Sequence, residues 1–180
     1  MTRLIAGRWG GRRLTTPPGD STRPTSDRVR ESLFSALTSL LGAFDGLRVL
    51  DVYAGSGALG LEALSRGAES ADFVEHHAKA AATITRNIKD LGADATVHRI
   101  RAEQIVDGRL PAGREYDLVF LDPPYAVTTE ALQVVVAALP LAPDAIVVVE
   151  RSSRDPWTWP DGLTALRDKR YGDTHLWYGH

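Results

Sequence analysis

Asp122-Pro123-Pro124-Tyr125 follows the apolar run Tyr116-Asp117-Leu118-Val119-Phe120-Leu121, and its residue types suit one chemical task. Two consecutive prolines fix backbone torsions and remove two N–H donors, so the segment presents carbonyl oxygens that only accept. An amino group on an aromatic base has two hydrogens to donate and a nitrogen lone pair delocalised into the ring. Accepting those hydrogens on the Asp122 carboxylate and a backbone carbonyl favours a more pyramidal, nucleophilic nitrogen. Tyr125 adds a flat face for stacking the base, a contact worth about 1–3 kcal/mol in nucleic-acid complexes. A Pro-Pro turn with a packed tyrosine is the purely structural reading. The position at a strand end, two β–α units after a glycine-rich turn, favours chemistry, with Asp122, Pro123, Pro124 and Tyr125 as the candidate catalytic residues.

That glycine-rich turn is Asp51-Val52-Tyr53-Ala54-Gly55-Ser56-Gly57-Ala58-Leu59-Gly60, running from a strand into a helix. Gly55 and Gly57 let a ligand approach the backbone, and the helix start beyond them offers free N–H groups. The spelling matches G-x-G-x-x-G, and Glu75 lies twenty residues past Gly55, where a carboxylate accepts from ribose hydroxyls. NAD and S-adenosylmethionine both present such hydroxyls. Asp51 does little for a pyrophosphate, whereas the methionine half of S-adenosylmethionine carries an ammonium and a sulfonium. Asp51 therefore tilts the reading towards S-adenosylmethionine.

Two motifs at two strand ends need a sheet to bring them together. Leu47 to Val52, Ala71 to Glu75, Ala95 to Ile100, Tyr116 to Leu121 and Ala145 to Glu150 read as strands. Ala58 to Arg66, Ala78 to Leu91 and Thr128 to Leu139 read as helices, with a short helical piece near Ala102 to Val106. Repeated β-then-α units predict a Rossmann-like, doubly wound α/β sheet with helices on both faces. Thr164 to Tyr171 and Thr174 to Tyr178 would finish it with an antiparallel strand, giving about seven strands. Residues 1–24 read as a hairpin arm, Leu4-Ile5-Ala6 and Arg12-Arg13-Leu14 flanking Gly7, Gly10 and Gly11. A helix then starts at Thr25 or Ser26 and ends at Gly42. The expected division is an arm, 1–24, and one domain, 25–180.

The 180 residues carry a net charge of −2, unevenly spread. Residues 1–30 hold Arg3, Arg8, Arg12, Arg13, Arg23, Arg28 and Arg30 against Asp20 and Asp27, a net +5 that leaves −7 for the rest. A basic end on an acidic body resembles a footprint for phosphates. The absence of cysteine removes disulfides, Cys-ligated zinc, iron–sulfur clusters and thiolate nucleophiles. His76, His77, His98, His175 and His180 show no ligand spacing, so no metal is expected. With no signal-peptide core and no apolar run long enough to span a bilayer, a cytoplasmic chain without membrane attachment is expected.

The glycine turn, Glu75 and Asp-Pro-Pro-Tyr together resemble class I methyltransferases that modify amino nitrogens. Arg23-Pro24-Thr25-Ser26-Asp27-Arg28-Val29-Arg30-Glu31-Ser32-Leu33-Phe34 and Leu50-Asp51-Val52-Tyr53-Ala54-Gly55-Ser56-Gly57-Ala58-Leu59-Gly60-Leu61-Glu62-Ala63-Leu64-Ser65-Arg66-Gly67-Ala68 narrow the resemblance to the RsmD family. The likeness runs from the arm to Tyr171-Gly172-Asp173-Thr174. It implies methyl transfer from S-adenosylmethionine to the exocyclic N2 of a guanine in 16S ribosomal RNA, within the small subunit or an assembly intermediate, by a monomer. S-adenosylhomocysteine would be the product. It further implies donor contacts from Asp51, Tyr53, Ala54, Gly55, Ser56 and Gly57, from Glu75 and His76 at the ribose, from Ala102 or Glu103 at the adenine, and from Asp122. The seven arginines would lie on the RNA or over the donor pocket. His76-His77 and Arg101-Ala102-Glu103 depart from the family's usual spelling.

Three other readings stay open at this stage. A DNA adenine-N6 or cytosine-N4 methyltransferase would use the same acceptors, although the chain has little room for a target-recognition domain. An NAD-dependent oxidoreductase rests on the glycine spelling alone and leaves Asp-Pro-Pro-Tyr unexplained. A non-catalytic RNA-binding module would need only the basic arm.

Overall fold

The computed structural model describes residues 2–17 and 27–180. It opens with a short antiparallel hairpin, β1 (Thr2–Arg3) and β2 (Arg13–Leu14), followed by α1 (Asp27–Leu41). The expected helix cap at Thr25 or Ser26 lies outside the described residues, as does Arg23. The main sheet comprises β3 (Arg48–Val52), β4 (Ser70–Val74), β5 (Ala95–His98), β6 (Tyr116–Leu121), β7 (Leu141–Ser152), β8 (Ala165–Tyr171) and β9 (Thr174–Gly179). Helices α2 (Ala58–Ser65), α3 (Ala78–Leu91) and α4 (Thr129–Ala137) and a 3-10 turn at Ala102–Ile105 connect them.

The strand order is β5-β4-β3-β6-β7-β9-β8, with the first five parallel and β9 antiparallel to both neighbours. The doubly wound sheet of about seven strands is thus present. Alternation along the strands divides the core. Val49, Phe73, Phe120 and Val148 pack with Leu33, Phe34 and Leu37 of α1, Leu61 and Leu64 of α2 and Ile84 of α3. Leu50, Val52, Val119, Leu121, Val147 and Val149 pack on the other face with Leu132, Val135 and Val136 of α4, Ile105 and Trp157. Two strands differ from expectation. β7 begins earlier, at Leu141, because Leu141 pairs with Tyr116 before a register shift next to Asp144, which sits at φ 61°. β5 stops at His98, whose carbonyl accepts from Ile100 N–H at 2.9 Å.

The hairpin is docked onto the body. Buried Glu62 accepts from Ile5 N–H at 2.7 Å and Ala6 N–H at 3.1 Å and pairs with Arg66 at 2.7 Å. Gly7, at φ +79°, lies so close that a Cβ there would stand 1.8 Å from the Ser65 carbonyl oxygen. Leu4 and Leu14 join the main core. Asn87 of α3 then ties the arm to the glycine turn, exchanging hydrogen bonds with Thr15 and donating to Ser56 O at 3.2 Å. No helix among the described residues is long and apolar enough to cross a membrane.

Candidate active site

The chain builds β3, β4 and β5 outward on one side, then returns to add β6 and β7 on the other. That reversal opens a crevice beyond the carboxyl ends of β3 and β6. Past β3, the backbone takes left-handed torsions at Tyr53 (φ 62°), Gly55 (φ 57°) and Gly57 (φ 78°) to turn into α2. Gly57 is the helix N-cap and carries no side chain to cap with. Asp51 supplies the missing acceptor, its Oδ2 taking Gly60 N–H at 2.9 Å. Gly60 is needed for packing, since a Cβ there would lie 2.4 Å from Phe73 Cε1. At the end of β4, Glu75 accepts from Gly55 N–H at 3.0 Å and His77 N–H at 2.7 Å, which fixes its carboxylate against the turn.

Asp122 follows β6 directly. Tyr125, 71% exposed, stands at the lip of the crevice. Arg151, at the end of β7, donates to Val127 O at 2.9 Å and lies 3.7 Å from Asp155, which holds the loop after the Asp-Pro-Pro-Tyr segment. The register pairs Asp51 with both Phe73 and Phe120, and Leu121 with Val149. Period-two alternation then puts Glu75, Asp51, Asp122 and Glu150 in a staggered row on one face of the sheet at the ends of four neighbouring strands, with Asp51 one pleat further in.

The row is electrostatically loaded. Burial pushes the Asp51 carboxyl up to about 8; Gly60 N–H opposes the rise and the Glu75 charge adds to it. Burial, then the charges of Glu150 and Asp51, holds Asp122 well above the usual carboxylate range. Burial likewise raises the Tyr53 hydroxyl to about 12. A cation placed beside these carboxylates would favour their ionised forms.

Asp51, Tyr53, Ala54, Gly55, Ser56, Glu75, His76, Ala102 and Asp122 to Tyr125 all border one cleft of about 550 Å3, within the range of small-ligand sites. Gly57 is buried beneath the turn, and Glu103 is exposed outside the cleft lining. Glu150, Arg151, Asp173 and Thr174 also border the cleft and were not anticipated. For Glu150 the available signal was alternation from Ile146 and Val148. The phosphate-contact set needs one correction. Arg30 is 2% exposed, its guanidinium donating to Arg3 O at 2.7 Å and Asp27 Oδ1 at 2.6 Å, so it faces the cleft and not the surface. Arg3 pairs with Asp27, Arg8 donates to Leu64 O and Arg12 to Asp90 O, while Arg13 and Arg28 are exposed. Sequence spacing also overlooked that Glu75, His76 and His77 bring potential metal-donor atoms within 4.8 Å of one another.

A sheet of this order, with a ligand crevice at the β3/β6 reversal, is a class I methyltransferase fold. The family model described as Conserved hypothetical protein 95 matches residues 2–180. The chain is 33% identical over 174 residues to ribosomal RNA small subunit methyltransferase D of Haemophilus influenzae, covering 94% of this chain and 89% of that one. It is 35% identical over 150 residues to the protein of the same name from Escherichia coli, covering 82% and 73%. The solved structure of Escherichia coli yhhF aligns at a TM-score of 0.82 and 34% identity, covering 99% of this chain and 96% of that one. The chain belongs to this family, the RsmD family.

Proposed function

We propose that the chain transfers a methyl group from S-adenosylmethionine to the exocyclic N2 of a guanine in 16S ribosomal RNA. The observation that carries this reading is the meeting, in one cleft, of the glycine turn with its row of carboxylates and the Asp-Pro-Pro-Tyr segment. The names of two relatives, both small-subunit ribosomal RNA methyltransferases, support the RNA.

The residues present suit the donor. Asp51 and Asp122, raised by burial and by neighbouring charge, gain from a ligand bearing an ammonium and a sulfonium. Glu75 would accept from the ribose hydroxyls, with His76 beside them, and Ala102 would border the adenine. When bound, the donor supplies a methyl carbon on a sulfonium leaving group. Tyr125 would stack the guanine at the lip, while the Asp122 carboxylate and the Pro123 carbonyl accept the two N2 hydrogens and aim the nitrogen. The high proton affinity of Asp122 suits it to take the proton that the methylated nitrogen loses. Catalysis then consists of orientation and fixed acceptors. No step in this scheme uses a metal. The reading places a monomeric enzyme in the cytoplasm, acting on the small subunit or an assembly intermediate.

A labelled-donor assay with undermethylated small subunits and duplex DNA side by side tests the substrate class. Incorporation into the subunits alone is expected. Incorporation into DNA alone would transfer the site to the adenine or cytosine reading.

A further inference from the structure

A second concavity of about 260 Å3 lies between α1 and the outer strands β8 and β9. One wall carries hydroxyls, because Ser32, Ser35 and Ser39 fall on one face of α1 at spacings of three and four. The other wall carries Arg167 and Lys169, alternate residues of β8 and so on one face of the strand. The Arg167 guanidinium stands 5.9 Å from the Tyr178 ring centre, and the Lys169 ammonium 5.2 Å from that of Tyr171. These rings restrain both cations against the wall. Tyr178 is 1% exposed and borders the same hollow, and its hydroxyl has no hydrogen-bond partner among the described residues. No carboxylate is among the described lining residues. Asp168, one position off the face, is taken up by His175 at 2.6 Å.

Basic residues on an edge strand discourage strand-to-strand association, which accounts for charge on β8. It does not account for hydroxyls facing that charge, or for a buried hydroxyl lacking a partner. Restrained cations with hydroxyl donors are the groups that contact nucleic-acid phosphates. The β8 wall also leads to the cleft, which Asp173 and Thr174 border at the β8–β9 turn. Ser32 and the Tyr171 hydroxyl hydrogen-bond to each other, joining the two walls.

We infer that this groove takes the sugar–phosphate backbone of the RNA strand flanking the target nucleotide, an inference that rests on RNA being the substrate. The test is binding of a fluorescent fragment of 16S ribosomal RNA to the full chain over a series of salt concentrations. Replacing both cations, Arg167→Ala with Lys169→Ala, is expected to weaken binding about 25-fold at 0.1 M salt and to reduce the log–log salt slope by about 1.4, the effect of two lost single-strand contacts. Ser35→Asp, which keeps both cations but adds a like charge for the phosphate to meet, is expected to weaken binding as well. Calorimetric binding of S-adenosylhomocysteine should stay within twofold in all variants (roughly the additivity limit for distant sites). Unchanged RNA affinity and slope in both variants would overturn the groove alone. Inorganic phosphate binding that the variants abolish while RNA affinity stays unchanged would reassign the groove to free phosphate. A wild-type chain that binds no RNA at any salt would overturn the RNA reading and the groove together.

Discussion

The acidic cleft and the basic groove share one sheet, yet different parts of it determine them. In the cleft, each carboxylate stands at the end of a central strand with neighbours on both sides, so register and alternation fix its place. In the groove, the cations project from β8, the outermost strand, and are held by contacts with Tyr171 and Tyr178. The cleft concentrates negative charge in low dielectric, where it suits a small cation. The groove spreads positive charge in water, where it suits a long polyanion and responds to salt. A net charge of −2 thus says little about partners, because the two charge sets sit at different places on the fold.

The comparison breaks most sharply at Asp122. Asp122→Ala is expected to cut turnover about a hundred- to a thousandfold, the usual cost of one placed polar group at a reacting centre, while RNA affinity stays unchanged. Single-turnover assays with parallel RNA binding check this; normal turnover would move the reacting centre elsewhere. Next in size, Glu75→Ala should weaken S-adenosylhomocysteine binding about tenfold or more by calorimetry, through lost bonds to a charged acceptor. It also strips the acceptor from Gly55 and His77 N–H, so a fall in melting temperature should accompany it.

The cleft's charge can be probed by pH. Asp51, at about 8, holds a proton near neutrality that a bound cation would expel, and burial and neighbouring charge raise Asp122 in the same direction. S-adenosylmethionine binding should therefore release protons and tighten as pH rises towards about 8, measurable by calorimetry in buffers of different ionisation heat. For stability of the free chain the sign reverses. The folded state holds protons that the unfolded state has lost above its ordinary carboxylate pKa near 3.9. The contribution is full below that value and is lost as pH rises through about 8. Proton uptake on binding would contradict the cation site.

The smallest effect belongs to the arm. Replacing Arg12 and Arg13 with alanine should lower the salt slope for RNA by at most about 0.7 per residue, and by less for Arg12, which already donates to Asp90 O.

The central site was legible because strand ends are written locally. An apolar run followed by Asp122-Pro123-Pro124-Tyr125, and another followed by Asp51 and the glycines, announce where strands stop. The βαβ pattern then brings those ends side by side. Glu150 was missed because it adjoins Asp122 only through the pairing of β6 with β7, a long-range fact, although alternation from Val148 carried a trace of it. Arg30 was misjudged for the opposite reason. Its surroundings look like a basic surface, but helix α1 turns it inward to Arg3 O and Asp27. The groove escaped notice because α1 and β8 meet only after β9 has folded back along β7.

The most direct test of the central claim is mass-spectrometric mapping of the methylated nucleoside after the chain acts on small subunits from a strain lacking its gene. A single guanosine carrying one methyl on N2 is expected, absent with Asp122→Ala. A methyl group on adenine, on cytosine or on a ring carbon, formed in a reaction that Asp122→Ala leaves intact, would contradict it.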